Sequence, residues 1–331
     1  MTPFQDPAGV AVARSAPAPS SGTRVAGLGA HRPDTVIGNE QAAEAAGVEA
    51  QWIEQRVGIR TRRFASPTES VVSMAVAAGR AALEESGTPA DEVDVVVLAT
   101  CSMPSPMPSG AASVASGLGC TAAAGFDLNA ACSGFNHALA VADALVRVGT
   151  ARRVLVVASE RMSDWVSPND RDTGPIFADG AAAALVVASD RPGIFPVAWG
   201  SDGSRADLIL ISPDTRRMTM SGRKVFRWAT SALMPVVEAA CERAAIPVDK
   251  VKAFVPHQAN LRIIDALSAA IGSPDLVTAT DLTVAGNTCA ASVPLGLHAL
   301  RRDGRIHPGD PVLLFGFGAG LTYAAQVILN P

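Results

Sequence analysis

Cys132 stands in the run DLNAACSGFNHAL, with small residues before it and Ser133-Gly134 after it. The apolar positions Ala138, Leu139, Val141 and Leu145 predict a helix starting there. A thiol at a helix start has its thiolate favoured by the helix dipole and by free N–H groups, which lowers its pKa. Alone, the same residue also reads as a small buried hydrophobe. His257, in VPHQANLRIID, directly follows the apolar run 253–255 and offers an imidazole at a strand end. Asn287, in AGNTCAASVPLGL, offers an amide at a second helix start, where Asn is also a good N-cap. GFGAG (316–320) reads as a tight turn whose N–H groups can face an oxyanion. It lacks the following helix and the downstream acidic residue of a dinucleotide fingerprint. Of the remaining histidines, His137 reads as structural, and His31, His298 and His307 as solvent-facing.

The elements that must carry these residues follow from the pattern. Short continuous apolar runs at 93–99, 154–158 and 312–315 read as strands buried on both faces. Ala-rich helical stretches such as 71–86 and 234–244 lie between them, so the order predicts an α/β fold with largely parallel sheets. The chain also repeats itself. Glu84, Pro89, Asp91, Val93 and Val97 match Glu242, Pro247, Asp249, Val251 and Val255, each pair offset by 158. Cys132 precedes Gly149 by the same 17 residues that separate Asn287 from Gly304, an offset of 155. Two halves related in this way would bring Cys132 and Asn287 together at matched helix starts, with His257 at a strand end beside them. Element ends are where α/β folds build sites.

The composition is that of a folded chain of about two domain-sized units: 331 residues, 48% hydrophobic and 18% charged. Residues 1–24 read as a disordered Ala/Pro/Ser-rich tail, 25–190 as one half carrying the cysteine, and 191–331 as a second half carrying His257 and Asn287. A net charge of −4 gives no sign of a nucleic-acid binder. Five cysteines without a CxxC pair indicate neither a disulfide framework nor a zinc site, and free thiols fit the cytoplasm. No apolar run is long enough to span a membrane, and the start of the chain lacks the pattern of a secretory signal.

Together these motifs resemble one family, 3-ketoacyl-ACP synthase III of the thiolase superfamily, from about Val25 to Leu329. The resemblance is carried by WIEQRVGIRTR, DLNAACSGF, FADGA, VFRW, VPHQANLRIID, GNTCAASVPL and GFGAGLTYA, in that order. In wording it is similar to the bacterial priming ketosynthases of polyketide pathways. It implies an α/β thiolase-like fold, internally duplicated in five αβαβα layers, and a homodimer. It also implies an acyltransferase with no permanently bound cofactor and no metal, using acyl-CoA as substrate. Cys132 would accept the acyl group, with His257 and Asn287 completing the triad. The N–H groups of Cys132 and Ala319 would form the oxyanion hole, with Phe317 beside the cysteine. Trp52 and Arg171 would hold the adenine of CoA and Arg56 its phosphates. Gly222, Phe226, Ala259 and Asn260 would line the pantetheine channel. Arg227 and Arg262 match positions where the acyl carrier protein docks. Met107 would close the acyl pocket of the partner subunit.

Some positions depart from the family pattern. Ala178 replaces a usual glycine, the loop 102–109 (SMPSPMPS) is rich in Pro and Met, and Ala269 and Ala270 replace a basic pair. The implied reaction is decarboxylative condensation of an acyl-CoA primer with malonyl-ACP to a β-ketoacyl-ACP, initiating fatty acid or polyketide synthesis. A same-fold transferase moving the acyl group onto a hydroxyl or amine without decarboxylation is the alternative, and the intact His–Asn pair favours condensation. A papain-like protease shares the order Cys, His, Asn but needs a local signature that is absent. A catalytically dead scaffold would not need Cys132.

Overall fold

Fourteen strands and ten α-helices are laid down along residues 19–331, the part of the chain described by the computed structural model. The first five-stranded sheet contains β1 (Gly22–His31), β4 (Val95–Ala99), β5 (Ala124–Leu128), β6 (Arg153–Arg161) and β7 (Asp179–Ser189), in the order β1-β7-β6-β4-β5. The second contains β8 (Ala198–Gly200), β11 (Ala253–Pro256), β12 (Val277–Thr278), β13 (Pro311–Gly318) and β14 (Thr322–Leu329), in the order β8-β14-β13-β11-β12. Two antiparallel pairs complete the set: β2 (Thr35–Gly38) with β3 (Thr61–Phe64), and β9 (Ile209–Ile211) with β10 (Met218–Met220).

The repeat seen in the sequence is written into the strand register. Val95 pairs with Val154 in the first sheet and Ala253 with Val312 in the second, each partner offset by 158. β4 is wholly buried because its run VVVLA meets helices on both faces. On the outer face of the first sheet the helices Val71–Ser86 and Gly110–Leu118 pack through Met74, Ala78 and Val114. Ser70 starts the first of these helices with a reciprocal cap to Ser73, and Gly87 at φ 64° ends it. Between the sheets lie the helices Gly134–Arg147 and Ser292–Arg302, whose Phe135, Leu139, Val293 and Leu297 join one core with residues of both sheets. The outer face of the second sheet is covered by helices that include Met234–Ala244 and Leu261–Ile271. The result is a five-layered αβαβα stack.

Three expectations change. The sheets are mixed rather than largely parallel: β4 pairs in parallel with β5 and β6, but β7 runs antiparallel to both β6 and β1. β14 is likewise antiparallel to β13 and β8. A parallel crossover usually needs a helix. Only the turn Ala319–Leu321 joins β13 to β14, and no α-helix lies between β6 and β7. The folded part begins before Val25, since Gly22 already pairs with Ser189 and the Ser20 N–H donates to the Arg147 carbonyl at 3.0 Å. The rest of the expected tail, residues 1–18, lies outside the described residues. The offset of 155 does not describe the second helix start. Ala131–Ser133 and Cys289–Ala291 are the matched 3-10 turns, again offset by 158, and their first residues share a left-handed backbone at φ 45° and 49°. The second central helix is three residues shorter, which alone produces the 155 spacing at its far end.

Candidate active site

Cys132 is the second residue of the turn Ala131–Ser133, so its N–H and side chain face out of the start of a central helix. β13 passes directly against it. A Cβ on Gly318 would lie 2.7 Å from the Cys132 Cβ and 2.9 Å from its sulfur, so only glycine fits there. His257 follows β11, its N–H bonded to the Phe315 carbonyl at 2.7 Å. Its Nδ1 meets Ser292 Oγ at 2.7 Å, which directs Nε2 into the cavity. A Ser292 hydroxyl that donates to Nδ1 keeps the imidazole proton on Nε2. The Phe317 ring meets His257 edge to face at 5.5 Å and restricts its rotation.

Asn287 is not an N-cap of the helix Ser292–Arg302. It lies in extended chain, where its N–H donates to the Ile176 carbonyl at 2.9 Å and its carbonyl accepts from the Ala178 N–H at 2.8 Å. Its Oδ1 accepts from the Cys289 N–H at 2.9 Å, leaving the amide NH2 to donate to a ligand. Gly286 before it holds φ 72°, and a Cβ there would come within 2.9 Å of the Ala178 methyl. Buried Arg62 braces the same wall by donating to the Pro175 carbonyl at 2.6 Å.

These three side chains, each less than a tenth exposed, line one cavity of about 260 Å3. Gly318, Ala319 and Phe317 form one side, and Phe177, Ile209, Met218 and Met220 form an apolar wall. The thiol of Cys132 is held well below its ordinary pKa because the Cys289 S–H donates to it and the neighbouring His257 favours the thiolate, against the cost of burial. Cys289, as that donor, is pushed well above its ordinary value by its contacts with Cys101 and Cys132 and by burial. Glu160, fully buried on β6, is pushed up to about 7 by burial, against the hydrogen bond from Ser102.

A second cleft, of about 390 Å3, shares Met220, Val225, Ala259, Ile263 and Asn287 with the inner cavity and opens to the surface. Trp52, Arg56, Arg171, Gly222, Phe226, Arg227, Asn260 and Arg262 all line it. The Arg171 guanidinium lies over the Trp52 ring at 5.1 Å, and that of Arg262 over Phe226 at 5.4 Å. Asn260 also caps the helix Leu261–Ile271 by accepting from the Arg262 N–H. Thus every residue singled out from the sequence reaches one of the two connected spaces except Met107, which is 80% exposed. Of the four histidines set aside, His31 pairs with Glu69 at 2.7 Å and His298 is half-buried, so neither faces solvent freely. The sequence reading missed Ser292 behind His257, and it missed Cys101 and Cys289 beside Cys132. Cys101, Glu160 and Cys289 bring a thiol, a carboxylate oxygen and a second thiol within 4.8 Å of one another.

A duplicated five-layer fold with a cysteine, a histidine and an asparagine around one buried cavity defines a thiolase-type acyltransferase. Sequence profiles for 3-oxoacyl-(acyl-carrier-protein) synthase III and for its C-terminal part match residues 126–203 and 241–329. The chain is 45% identical to β-ketoacyl-(acyl-carrier-protein) synthase III 4 of Streptomyces coelicolor, over 94% of this chain and 99% of that protein. It is 42% identical to the mycobacterial synthase III of Mycobacterium marinum, over 95% and 98%. Among solved structures, a priming β-ketosynthase of a polyketide biosynthetic pathway superposes with a TM-score of 0.92 at 42% identity, covering 95% of this chain and 98% of that one. The synthase III of Aquifex aeolicus superposes at 0.89 with 33% identity, covering 93% and 100%. The chain belongs to the 3-oxoacyl-(acyl-carrier-protein) synthase III family and is an acyltransferase of that type.

Proposed function

We propose that Cys132 is the acyl-accepting nucleophile and that His257 and Asn287 stabilise the enolate formed in condensation. The reaction is that of the family, condensation of an acyl-CoA primer with malonyl-ACP. The observation that carries these roles is the convergence of the three side chains on a buried cavity at the base of an arginine-lined cleft.

The Cys132 thiolate attacks the thioester carbonyl of the acyl-CoA. The resulting oxyanion is met by the N–H groups of Cys132 and Ala319, and CoA leaves as its thiolate. Malonyl thioester then enters, with its thioester oxygen at His257 Nε2 and the Asn287 amide. Loss of CO2 places an enolate there, and each donor is worth about 3 kcal/mol on that barrier. No base is needed, because decarboxylation rather than proton abstraction creates the carbanion. The carbanion attacks the acyl-cysteine carbonyl and Cys132 leaves, giving the β-ketoacyl thioester. The apolar wall of Phe177, Ile209 and Met218 excludes water from the acyl-enzyme.

Trp52 and Arg171 are suited to sandwich an adenine, and Arg56 to meet its phosphates. Gly222, Phe226, Ala259 and Asn260 line the path suited to a pantetheine arm, and Arg227 and Arg262 sit at its mouth, where an acidic carrier protein would dock. We further infer a cytoplasmic homodimer, with duplicated halves at 25–190 and 191–331. Five free thiols support the compartment. The exposed edge strand β5, with Phe126 38% exposed, and the exposed Met107 support a partner on that face. No described helix is long and apolar enough to cross a membrane.

The test is single-turnover kinetics with acetyl-CoA, longer acyl-CoAs and 14C-labelled malonyl-ACP. The expected result is labelled CO2 and a β-ketoacyl-ACP in equal amounts, dependent on a primer. Primer consumption without CO2 would instead assign simple acyl transfer.

A further inference from the structure

The cavity holds more sulfur than condensation uses. The Cys289 Sγ lies 3.4 Å from the Cys132 Sγ and 3.4 Å from the Cys101 Sγ. Three thiols therefore form a chain with Cys289 in the middle, all lining the space that receives the acyl group and none in a disulfide. They come from three separate elements: the end of β4, the turn before the first central helix, and the matched turn before the second. Cys289 is held in place by its left-handed backbone at φ 49° and by its N–H bond to Asn287. A disulfide bond is about 2.05 Å long, so each contact is a modest closure away from a bond.

We propose that Cys289 and Cys101 form a thiol relay that rescues the nucleophile from hydroperoxides, resting on the assignment of Cys132 as the reactive thiolate. In the first step the Cys132 thiolate attacks a peroxide oxygen and the O–O bond breaks. The alcohol or water leaves after taking a proton, and Cys132 becomes a sulfenic acid, two electrons having passed from sulfur to the peroxide. Cys289 then attacks the sulfenic sulfur. The S–O bond breaks, the leaving hydroxide takes the Cys289 proton as water, and a Cys132–Cys289 disulfide forms. Last, Cys101 passes its proton to the neighbouring Glu160 carboxylate and attacks the Cys289 sulfur. The Cys132–Cys289 bond breaks, Cys132 leaves as thiolate, and the oxidised pair becomes Cys101–Cys289.

The direction of the exchange follows from leaving-group chemistry, since the thiol of lowest pKa leaves fastest. In the Cys132–Cys289 disulfide Cys132 still has His257 beside it to favour its thiolate. The competing sulfur Cys101, although its contact with Cys289 acts the other way, is pushed up to about 11 by burial and the neighbouring Glu160 charge. Glu160 is near enough to take the proton, with a carboxylate oxygen within 4.8 Å of both partner sulfurs. The oxidised relay thus leaves the catalytic thiolate free. Without the relay, a sulfenic acid is open to further oxidation to sulfinic acid, which is not reversed by thiols.

The experiment treats the full-length protein with one equivalent of hydrogen peroxide in chelator-containing buffer. It then maps disulfides by peptide mass, assays residual condensation against each protein's own untreated sample, and measures acylation of Cys132 separately. Wild type should give a Cys101–Cys289 disulfide and retain activity. Cys101→Ser should stop at Cys132–Cys289, inactive until dithiothreitol is added. Cys289→Ser should accumulate sulfinic acid on Cys132 about tenfold faster than wild type. Sulfinic acid on wild-type Cys132 at the Cys289→Ser rate, or a disulfide through Cys120 or Cys241, would overturn the relay. If Cys132 still accepts acyl groups, its role as nucleophile stands while the relay falls. If it accepts none and resists alkylation, the underlying assignment falls. Because the wild-type map alone decides the bond, the test survives a variant that does not fold.

Discussion

In the first half of the molecule Ala131 opens a left-handed turn and Cys132 follows it into the cavity. In the second half Cys289 opens the matched turn at nearly the same φ, and Ala290 follows it into the core. The strand ends differ in the same way, with Ala99 in the first half at the place that His257 takes in the second. Duplication supplies two copies of one backbone frame, and single side chains then make the copies unlike. In the proposed mechanism the first half presents the attacking atom and the second presents the donors. The difference is chemical, because the two turns share their conformation.

The comparison predicts that each half fails in its own manner. Cys132→Ala should abolish primer loading and reduce condensation by about 10^4-fold or more, as loss of a covalent nucleophile does, measured by product formation and by the missing acyl adduct. His257→Ala and Asn287→Ala should each reduce condensation by about 10^2- to 10^3-fold while the acyl adduct still forms. Rapid-quench mass measurement separates these steps, and equal loss of loading in both variants would break the division of labour. Gly318→Ala forces the Cys132 sulfur aside and should slow loading about 10^2-fold, read in the acylation burst. Trp52→Ala and Arg171→Ala should raise the KM for acyl-CoA about fivefold with kcat little changed, since an exposed cation–π contact is worth about 1 kcal/mol.

The smallest effect concerns the frame behind the cysteine. Glu160 has a folded pKa of about 7, above its ordinary 4.5, so the folded state holds a proton that the unfolded chain has released between those values. That contribution is fully present below about 4.5 and is lost as pH rises through 7. Urea unfolding across this window should show stability falling with pH, and Glu160→Gln should flatten the slope.

Cys132, His257 and Asn287 were legible as candidates because each is a polar residue set into an apolar or small-residue run near an element end, and all three line one cavity. The helices 71–86 and 234–244 were legible from their apolar periodicity, and their ends match the structure. The sulfur cluster was not legible. Cys101 and Cys289 are 188 residues apart, and no local pattern marks a pair made only by the packing of two sheets against two central helices. The left-handed turn at Cys289 was hidden because such a backbone is normally announced by glycine or asparagine. That concealment turned a true offset of 158 into an apparent match of Cys132 with Asn287. The antiparallel strands were hidden because a buried strand reads as the same apolar run whichever way it points.

The measurement that bears most directly on the division between the halves is peptide mass spectrometry of His257→Ala incubated with acyl-CoA and then with malonyl-ACP. The account predicts an acyl group on Cys132 that persists after malonyl-ACP is added, whereas the wild-type adduct is discharged with release of CO2. An acyl group on any other residue, or discharge from the variant at the wild-type rate, would contradict it.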